Sequence, residues 1–509
     1  MKAGLRAPSR LWDVLLPLAL LLALGRLWLM PMWSSFWVDE MGTVFVVQHG
    51  ADDPSLAVAP QVPQSIYYLL PRAAQALFGF SEFTHRLPSL FAMAAALFLI
   101  ARLAARLVHP RAAWFAVFAC LALRGIDYQA ADARPYGLGT LVACGALWFL
   151  VRWLDSASWR DALGFVVLAA LLWRVQLIFW PFYLVFGIYA AARLAGRDSR
   201  VTWKRVAVVF ALLGLALLPV LLKALTLYRQ AGAHVIVALP SLRDLLLSLK
   251  IGLIAVCGGG AWLVSRAIPN RDREGAGRDR PQASETGGTA CPTTAPILIL
   301  AWWLCQPLCL FGFSWLTGNS VFVARYLWLA LPGAAMVATW AAARFLPAAH
   351  WKPLAAALGV GVLLLNGQWT QAWPWHHNSD WRGAAHMIQE LRLDPDTPVI
   401  CPSPFIEAKP PVWRPDYPLP GFLYAHLGVY PLPGKIWLFP FEDSPEAEVY
   451  ARQLSGQTLN ASKRFVLYGG QGQVDFWRDW FAGRPELAGW SNERFRTFGD
   501  VEVVVLHRH

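Results

Sequence analysis

The dominant pattern along the chain is a succession of long apolar runs, at about 11–30, 87–108, 112–126, 136–154, 160–173, 175–193, 206–225, 244–264, 293–316, 326–345 and 353–371. Most approach the roughly 20 residues that an α-helix needs to cross a ~30 Å hydrocarbon core. They predict eleven transmembrane helices, some of them short, with 112–193 the least regular stretch. Beyond residue 371 the long runs stop. There 381–391 has helical spacing, 398–401 and 464–468 are short strand candidates, 474–481 reads as a helix, and 501–506 ends the chain as a strand. The expected architecture is an all-α membrane domain over 1–371, with a long structured first outer loop, and a small extracytoplasmic α/β domain over 372–509.

The first apolar run is too long for the core of a signal peptide, and no small-x-small cleavage pattern follows it, so it is expected to stay as a helix. Segment 270–294, rich in Arg, Asp, Gly and Thr and without an apolar period, predicts a flexible linker. There is no internal repeat of the kind that builds secondary transporters.

Composition agrees with the pattern. Hydrophobic residues make up 57% of the chain and charged ones only 15%, whereas soluble domains hold about 25% charged residues. The net charge of +12 does not point to nucleic acid, because the cations lie in short clusters between apolar runs. One set of connections carries Arg102, Arg106, Arg111, Arg152, Arg160, Arg193, Arg197, Arg200, Lys204, Arg205 and Arg266, and the N-terminus belongs to it. The opposite set holds most of the loop acids, including Asp39, Glu40, Asp52, Asp53, Glu82, Asp127 and Asp132. The positive-inside bias then places the N-terminus in the cytoplasm and the C-terminal segment outside. The seven cysteines are scattered, with neither CxxC nor Cys/His spacing, and read as small buried hydrophobes.

Candidate chemistry lies in the outer connections. The first opens with Trp33-Ser-Ser-Phe-Trp-Val-Asp39-Glu40 just past a helix end. Two adjacent carboxylates in a partly desolvated site push their pKa values apart, which suits a general base, although the same pair also suits a solvated turn with a helix cap. Its later pieces, 66–70 and 73–80, are amphipathic and suit the membrane interface. The second connection holds Arg124-Gly-Ile-Asp127-Tyr-Gln-Ala-Ala-Asp132-Ala-Arg134-Pro-Tyr136. Here Asp132 and Arg134 suit either an interfacial ion pair or a polar substrate with a phosphate on the arginine fork. Arg325 and Tyr326 stand at the outer start of an apolar run, where an arginine either snorkels to headgroups or clamps a lipid phosphate. Arg174 and Gln176 complete the set.

These residues resemble the multi-spanning glycosyltransferases of the GT-C class, and within it the protein O-mannosyltransferase and lipid A aminoarabinose transferase group. The resemblance rests on Asp39-Glu40 after the first helix and on 64–70, which includes Tyr67. It rests also on Leu77-Phe-Gly-Phe-Ser-Glu82-Phe-Thr-His85-Arg86-Leu-Pro-Ser89, on Asp132-Ala-Arg134-Pro-Tyr136 and on Arg325-Tyr326. It covers the first 160 residues well and the remaining helices loosely. The chain departs from the family at Pro63-Gln64-Ser65, where His-Pro-Pro is common.

The resemblance implies a polyprenyl-phosphate-linked sugar donor and inverting transfer to a lipid, protein or glycan at the extracytoplasmic face of a bacterial inner membrane. Asp39 is then the general base, with Glu40 and Asp132 assisting or, if a divalent ion takes part, Asp39 and Asp132 holding it. Arg134 and Arg325 stabilise the leaving phosphate. Tyr67, His85, Arg86, Tyr136, Arg174 and Tyr326 join the substrate-binding set. The competing readings are a transporter or flippase of lipid-linked sugars and a non-catalytic subunit that binds the carrier lipid.

Overall fold

A computed structural model describes residues 9–231, 237–267 and 294–508. The linker expected at 270–294 lies outside the described residues except for Thr294. The chain divides into two compact units, Met1–Pro31 with Ser65–Tyr67 and Arg86–Pro374, and Met32–Gln64 with Tyr68–His85 and Trp375–His509.

The first unit is helical. Its elements in chain order are α1 (Ser9–Leu24), most of α4 (Glu82–Leu107), α5 (Ala113–Leu121), α6 (Arg124–Ala130), α7 (Tyr136–Ser156), α8 (Trp159–Val175), α9 (Phe182–Ala195), α10 (Trp203–Ala231), α11 (Leu242–Ser248), α12 (Ile251–Ala267), α13 (Ala295–Thr317), α14 (Leu331–Ala343) and α15 (Trp351–Asn366). Each of the eleven apolar runs is helical, yet among the described residues only eight helices are long and apolar enough to cross a membrane. A ninth is reached if α11 and α12, bent by 46°, form one broken span. The expected eleven are not reached, and the reason is length. The run at 112–126 breaks into two short helices, and the nine residues of α5 rise only about 14 Å at 1.5 Å per residue. The 17 residues of α8 stop just short of a full span. The protein is a polytopic membrane protein on these helices.

Burial sorts the spans. α7 is 72% buried across its apolar window, whereas α10 is 11% buried and turns Val208, Leu212, Leu215 and Leu222 outward. The unit is held together by close packing and by a few polar pins. A Cβ on Gly333 would lie 2.6–2.8 Å from the backbone of Trp302 and Trp303, so only glycine lets α14 approach α13 this closely. Arg26, in the π-helical turn Gly25–Leu29 that prolongs α1, donates to the carbonyls of Gly367, Gln368, Gln371 and Ala372 past the end of α15. A guanidinium is favourable at that end, where the helix dipole is negative.

The second unit combines α2 (Val38–His49), α3 (Leu69–Phe78) and the first turn of α4 with the C-terminal segment. A five-stranded mixed sheet forms its centre in the order β2-β1-β3-β5-β4, from β1 (Pro398–Pro402), β2 (Lys435–Phe439), β3 (Arg464–Gly470), β4 (Trp490–Phe498) and β5 (Val501–Arg508). β1 pairs parallel with β2 and β3, and β5 pairs antiparallel with β3 and β4. The helices α16 (Trp381–Glu390), α17 (Ala425–Val429), α18 (Pro445–Leu454) and α19 (Gln471–Ala482) accompany the sheet. The inner strand β1 is buried throughout, as a strand flanked by two parallel partners should be.

The first outer loop is built into this sheet unit. Arg382 donates to the carbonyl of Trp33 at 2.8 Å and to Glu82 at 3.0 Å. The Tyr430 hydroxyl donates to Glu82 at 2.9 Å and accepts from the backbone N–H of Phe36 at 2.9 Å. Burial, and then the Glu82 charge, push the Tyr430 phenol far up, which keeps it protonated as a donor. Trp37 stacks on His377 at 4.1 Å. The segment Trp375–His509 therefore folds together with Met32–Gln64 and Tyr68–His85 as one compact unit, and the boundary expected at 371/372 falls three residues later.

Candidate functional site

In the membrane-spanning unit, polar chemistry gathers where α6 ends and α7 begins. Pro135, with its fixed φ, precedes the first residue of α7, and the turn before it carries Asp132 and Arg134. Asp132 and Tyr136 are buried and Arg134 is half-buried. Keeping a carboxylate out of water is costly unless its environment supplies compensating polar groups, so a buried acid at a helix junction is a deliberate feature. The turn is fixed from α4: the buried Tyr67 hydroxyl donates to Ser89 Oγ at 3.0 Å, and Ser89 donates to the Arg134 carbonyl at 3.2 Å. Gly137 allows α7 to close on α4, since a Cβ there would stand 3.0–3.3 Å from Gln129 O, Met93 Cγ and Ser89 O.

The Arg325-Tyr326 segment comes to the same place. It forms a 3-10 turn, Ala324–Ala330, whose Trp328 packs edge-on against Tyr136 at 5.4 Å and stacks with Tyr128 at 6.1 Å. Arg325 lies over its neighbour Tyr326 at 5.4 Å, and the Tyr326 carbonyl is held by Gln306 at 2.9 Å. Trp328 also walls a cavity of about 770 Å³, along with Leu123, Arg124, Gly125, Leu247, Lys250, Phe322 and Leu327. This cavity shares Ala122 and Asn366 with a second one of about 490 Å³. The second is lined by Phe115, Leu253, Val256, Leu358 and the glycines Gly252, Gly260 and Gly361. A cation-bearing chamber thus lies beside an apolar, small-residue groove.

Other predicted residues are placed elsewhere. Arg174 spends two donors on the carbonyls of Ala170 and Ala216, both at 2.9 Å, so it ties α8 to α10. Arg86 is fully buried and donates to the Pro31 carbonyl at 3.4 Å.

In the second unit, Asp39 and Glu40 occupy the first turn of α2. Glu40 is fully buried and accepts from the backbone N–H of Trp37 at 3.2 Å, so it caps the helix. Asp39 is half-buried and has a second carboxylate close by. Burial, and then the Asp39 charge, push the Glu407 carboxyl above its usual range, with its own backbone N–H and Lys409 opposing. His85 is boxed by Phe36 at 5.5 Å and Phe80 at 5.1 Å, with Nδ1 2.9 Å from the Ser81 carbonyl.

Comparison with known proteins bears on this arrangement. Residues 63–222 match the family described as dolichyl-phosphate-mannose-protein mannosyltransferase. That segment holds Tyr67, His85, Arg86, Asp132, Arg134, Tyr136 and Arg174. The crystal structure of ArnT from Cupriavidus metallidurans in the apo state superposes with a TM-score of 0.54 at 13% identity, covering 96% of this chain and 97% of that one. The same protein bound to undecaprenyl phosphate superposes with a TM-score of 0.52 at 13% identity, covering 98% of both chains. The fold is that of the GT-C glycosyltransferases. No curated protein matches the sequence. The GT-C fold was thus legible in the order and spacing of a few loop residues.

Three residues of interest escaped the sequence reading. Glu407 gave no signal, since it lies in a different stretch of sequence from the acid it neighbours. Arg124 was visible beside Asp132 but was given no role. Lys250 had a signal, being the only Lys or Arg between Arg243 and Arg266 in an apolar run. It also holds a left-handed φ of 53°, at the bend between α11 and α12, where glycine would be unstrained.

Proposed function

We propose that the chain is a glycosyltransferase that takes a sugar from a polyprenyl-phosphate carrier and transfers it, with inversion, to an acceptor on the extracytoplasmic side of a bacterial inner membrane. The observation that carries this reading is the paired cavity of the transmembrane unit. A chamber of about 770 Å³ has Arg124, Lys250 and Asp244 in its wall; Asp244 is engaged by Ser241, which leaves the two cations to a phosphate. The apolar groove that shares Ala122 and Asn366 with it suits an isoprenoid chain. Arg134 and Arg325 belong to the turns beside Trp328, and as planar forks they suit the leaving phosphate as its charge develops. The undecaprenyl phosphate named for one structural neighbour has the same chemistry.

Catalysis then asks for a base and an inverted centre. Asp39 takes the acceptor proton while the acceptor oxygen attacks the anomeric carbon and the carrier phosphate departs with the bonding pair. Glu40 holds the start of α2, and Asp132 stabilises charge electrostatically. The N-terminus is cytoplasmic and the second unit is extracytoplasmic in this reading. Alkaline phosphatase fused at Gly421 is then expected to be active, and fused at Ser199 inactive.

The experiment that tests the function is mass spectrometry of envelope lipids and glycans from cells with and without the gene. Loss of one sugar from one envelope component, restored by the wild-type gene and not by Asp39→Asn, is the expected result. Loss of the sugar from several envelope components at once, with lipid-linked sugar accumulated on the cytoplasmic side, would instead favour a flippase.

A further inference from the structure

The far end of α7 carries a second, unassigned feature. α7 spans 21 residues from Tyr136, so its last turn lies about 30 Å from the Asp132 turn at 1.5 Å per residue. There a cavity of about 790 Å³ opens among Trp153, Ser158, Trp159, Arg160, Lys204 and Arg205. Arg160 lies in the first turn of α8 and Lys204 and Arg205 in the first turn of α10, so two helix N-termini face the same space as three cations. All three cations are exposed, and among the described residues no carboxylate pairs with any of them. The nearby acids are already engaged: Asp161 pairs with Arg152 at 3.2 Å, and Asp155 takes both Arg106 and Arg193.

Below the cations the walls become apolar. Val208 and Val209 line the cavity itself. Leu163 and Val167 continue from Arg160 along one face of α8, and Leu212 and Leu215 continue from Lys204 and Val208 along one face of α10, by three- and four-residue steps. All four are exposed. Trp159 and Trp203, 69% and 58% exposed, mark the polar–apolar boundary where indoles anchor membrane helices. A phosphate among the cations with two hydrocarbon chains on these faces matches every part of the surface.

We propose that this cavity is a binding site for the headgroup of an anionic phospholipid of the surrounding membrane, at the end of the transmembrane unit opposite the candidate active site. The lipid phosphate takes the uncompensated charge of Arg160, Lys204 and Arg205, and its acyl chains run down α8 and α10. The proposal is independent of the transfer reaction, because none of these residues belongs to the candidate catalytic or donor-binding set.

The test uses the full chain, stripped of lipid in a neutral detergent, with melting temperature read as lipid is added. Dioleoyl phosphatidylglycerol is expected to raise it, whereas dioleoyl phosphatidylcholine and inorganic phosphate are not. In R160Q/K204Q/R205Q the half-saturating phosphatidylglycerol concentration is expected to rise on the order of a hundredfold, at about fivefold per cation near a lipid surface. The exposed positions leave the lipid-free melting temperature near wild type. Val208→Trp, which keeps the charges but fills the cavity, is expected to lose the shift as well, and it serves if the triple variant does not fold. An equal shift with phosphatidylcholine or with inorganic phosphate would overturn the proposal. So would wild-type phosphatidylglycerol affinity in both variants.

Discussion

The two ends of α7 treat charge in opposite ways. At its start Asp132 is buried, the adjacent turn is pinned through Ser89 and Tyr67, and Tyr136 and Trp328 form an aromatic wall beside a chamber. At its end Asp155 is committed to Arg106 and Arg193, Asp161 to Arg152, and the remaining cations face outward. One end spends folding free energy to hold a carboxylate in place. The other neutralises its acids in structural pairs and leaves surplus positive charge at a membrane boundary. The same residue types thus serve chemistry at one end and architecture or lipid contact at the other, and burial with commitment of partners tells them apart.

The largest expected effect separates the two acids. Asp132→Asn is expected to lower transfer activity by roughly 10²–10⁴-fold, the range for losing a positioned acid–base or electrostatic group, with the melting temperature retained. Asp155→Asn is expected to do the reverse. It strips a carboxylate from Arg193, whose side chain is 3% exposed, and should cost about 3 kcal/mol of stability while activity per folded molecule is kept. Thermal unfolding and single-turnover transfer on both variants check the contrast. If Asp155→Asn were the inactive one, the assignment of the two ends would be reversed.

Next in size is the chamber lysine. Lys250→Ala is expected to weaken binding of a polyprenyl phosphate by about tenfold, the cost of one charge-assisted contact. Arg174→Ala is expected to lower stability with little change in that affinity, because its donors are held by Ala170 and Ala216. Equilibrium binding with a fluorescent short-chain polyprenyl phosphate distinguishes them. Equal affinity for wild type and Lys250→Ala would move the phosphate out of this chamber.

The smallest effect lies in the sheet unit, where burial alone sets a titration. His426 is fully buried among Trp381, Tyr424 and Tyr468, and desolvation pushes its pKa down to about 3. A histidine depressed in the folded state gives stability that is present above its unfolded pKa of about 6.5 and is lost as pH falls from there toward the folded value. The melting temperature should therefore decline through mild acid, and His426→Phe should flatten that decline. An identical pH profile in the variant would show that another group controls it.

Much of this was legible in the sequence because membrane burial and strand pairing leave period and length on the chain. All eleven apolar runs became helices, and strands at 398–401, 464–468 and 501–506 were met by β1, β3 and β5. β2 was missed because Lys435–Phe439 opens on an exposed Lys directly after the turn residues Pro433 and Gly434, so it reads as part of a loop. β4 was missed because Trp490–Phe498 mixes Ser, Asn, Glu, Arg and Thr at the sheet edge, where one partner suffices. The span count failed because helix length, and not apolarity, decides a crossing, and α5 is short. At the candidate site, Asp132, Arg134 and Tyr136 stood out by their compact spacing. The neighbourhood of Asp39 and Glu407 did not, since tertiary folding alone brings them together.

The most direct test of the central claim is transfer by the purified chain in nanodiscs, from a synthetic polyprenyl-phosphate sugar to an envelope extract, followed by release of the free polyprenyl phosphate. Wild type is expected to release it only when acceptor is present. Asp39→Asn, nearly isosteric and with an unchanged melting temperature, is expected to release it roughly 10²–10⁴-fold more slowly. Asp39→Asn releasing carrier at the wild-type rate, together with no acceptor-dependent release by Asp132→Asn, would move the base to the α6–α7 turn. No acceptor-dependent release by wild type itself would contradict the account.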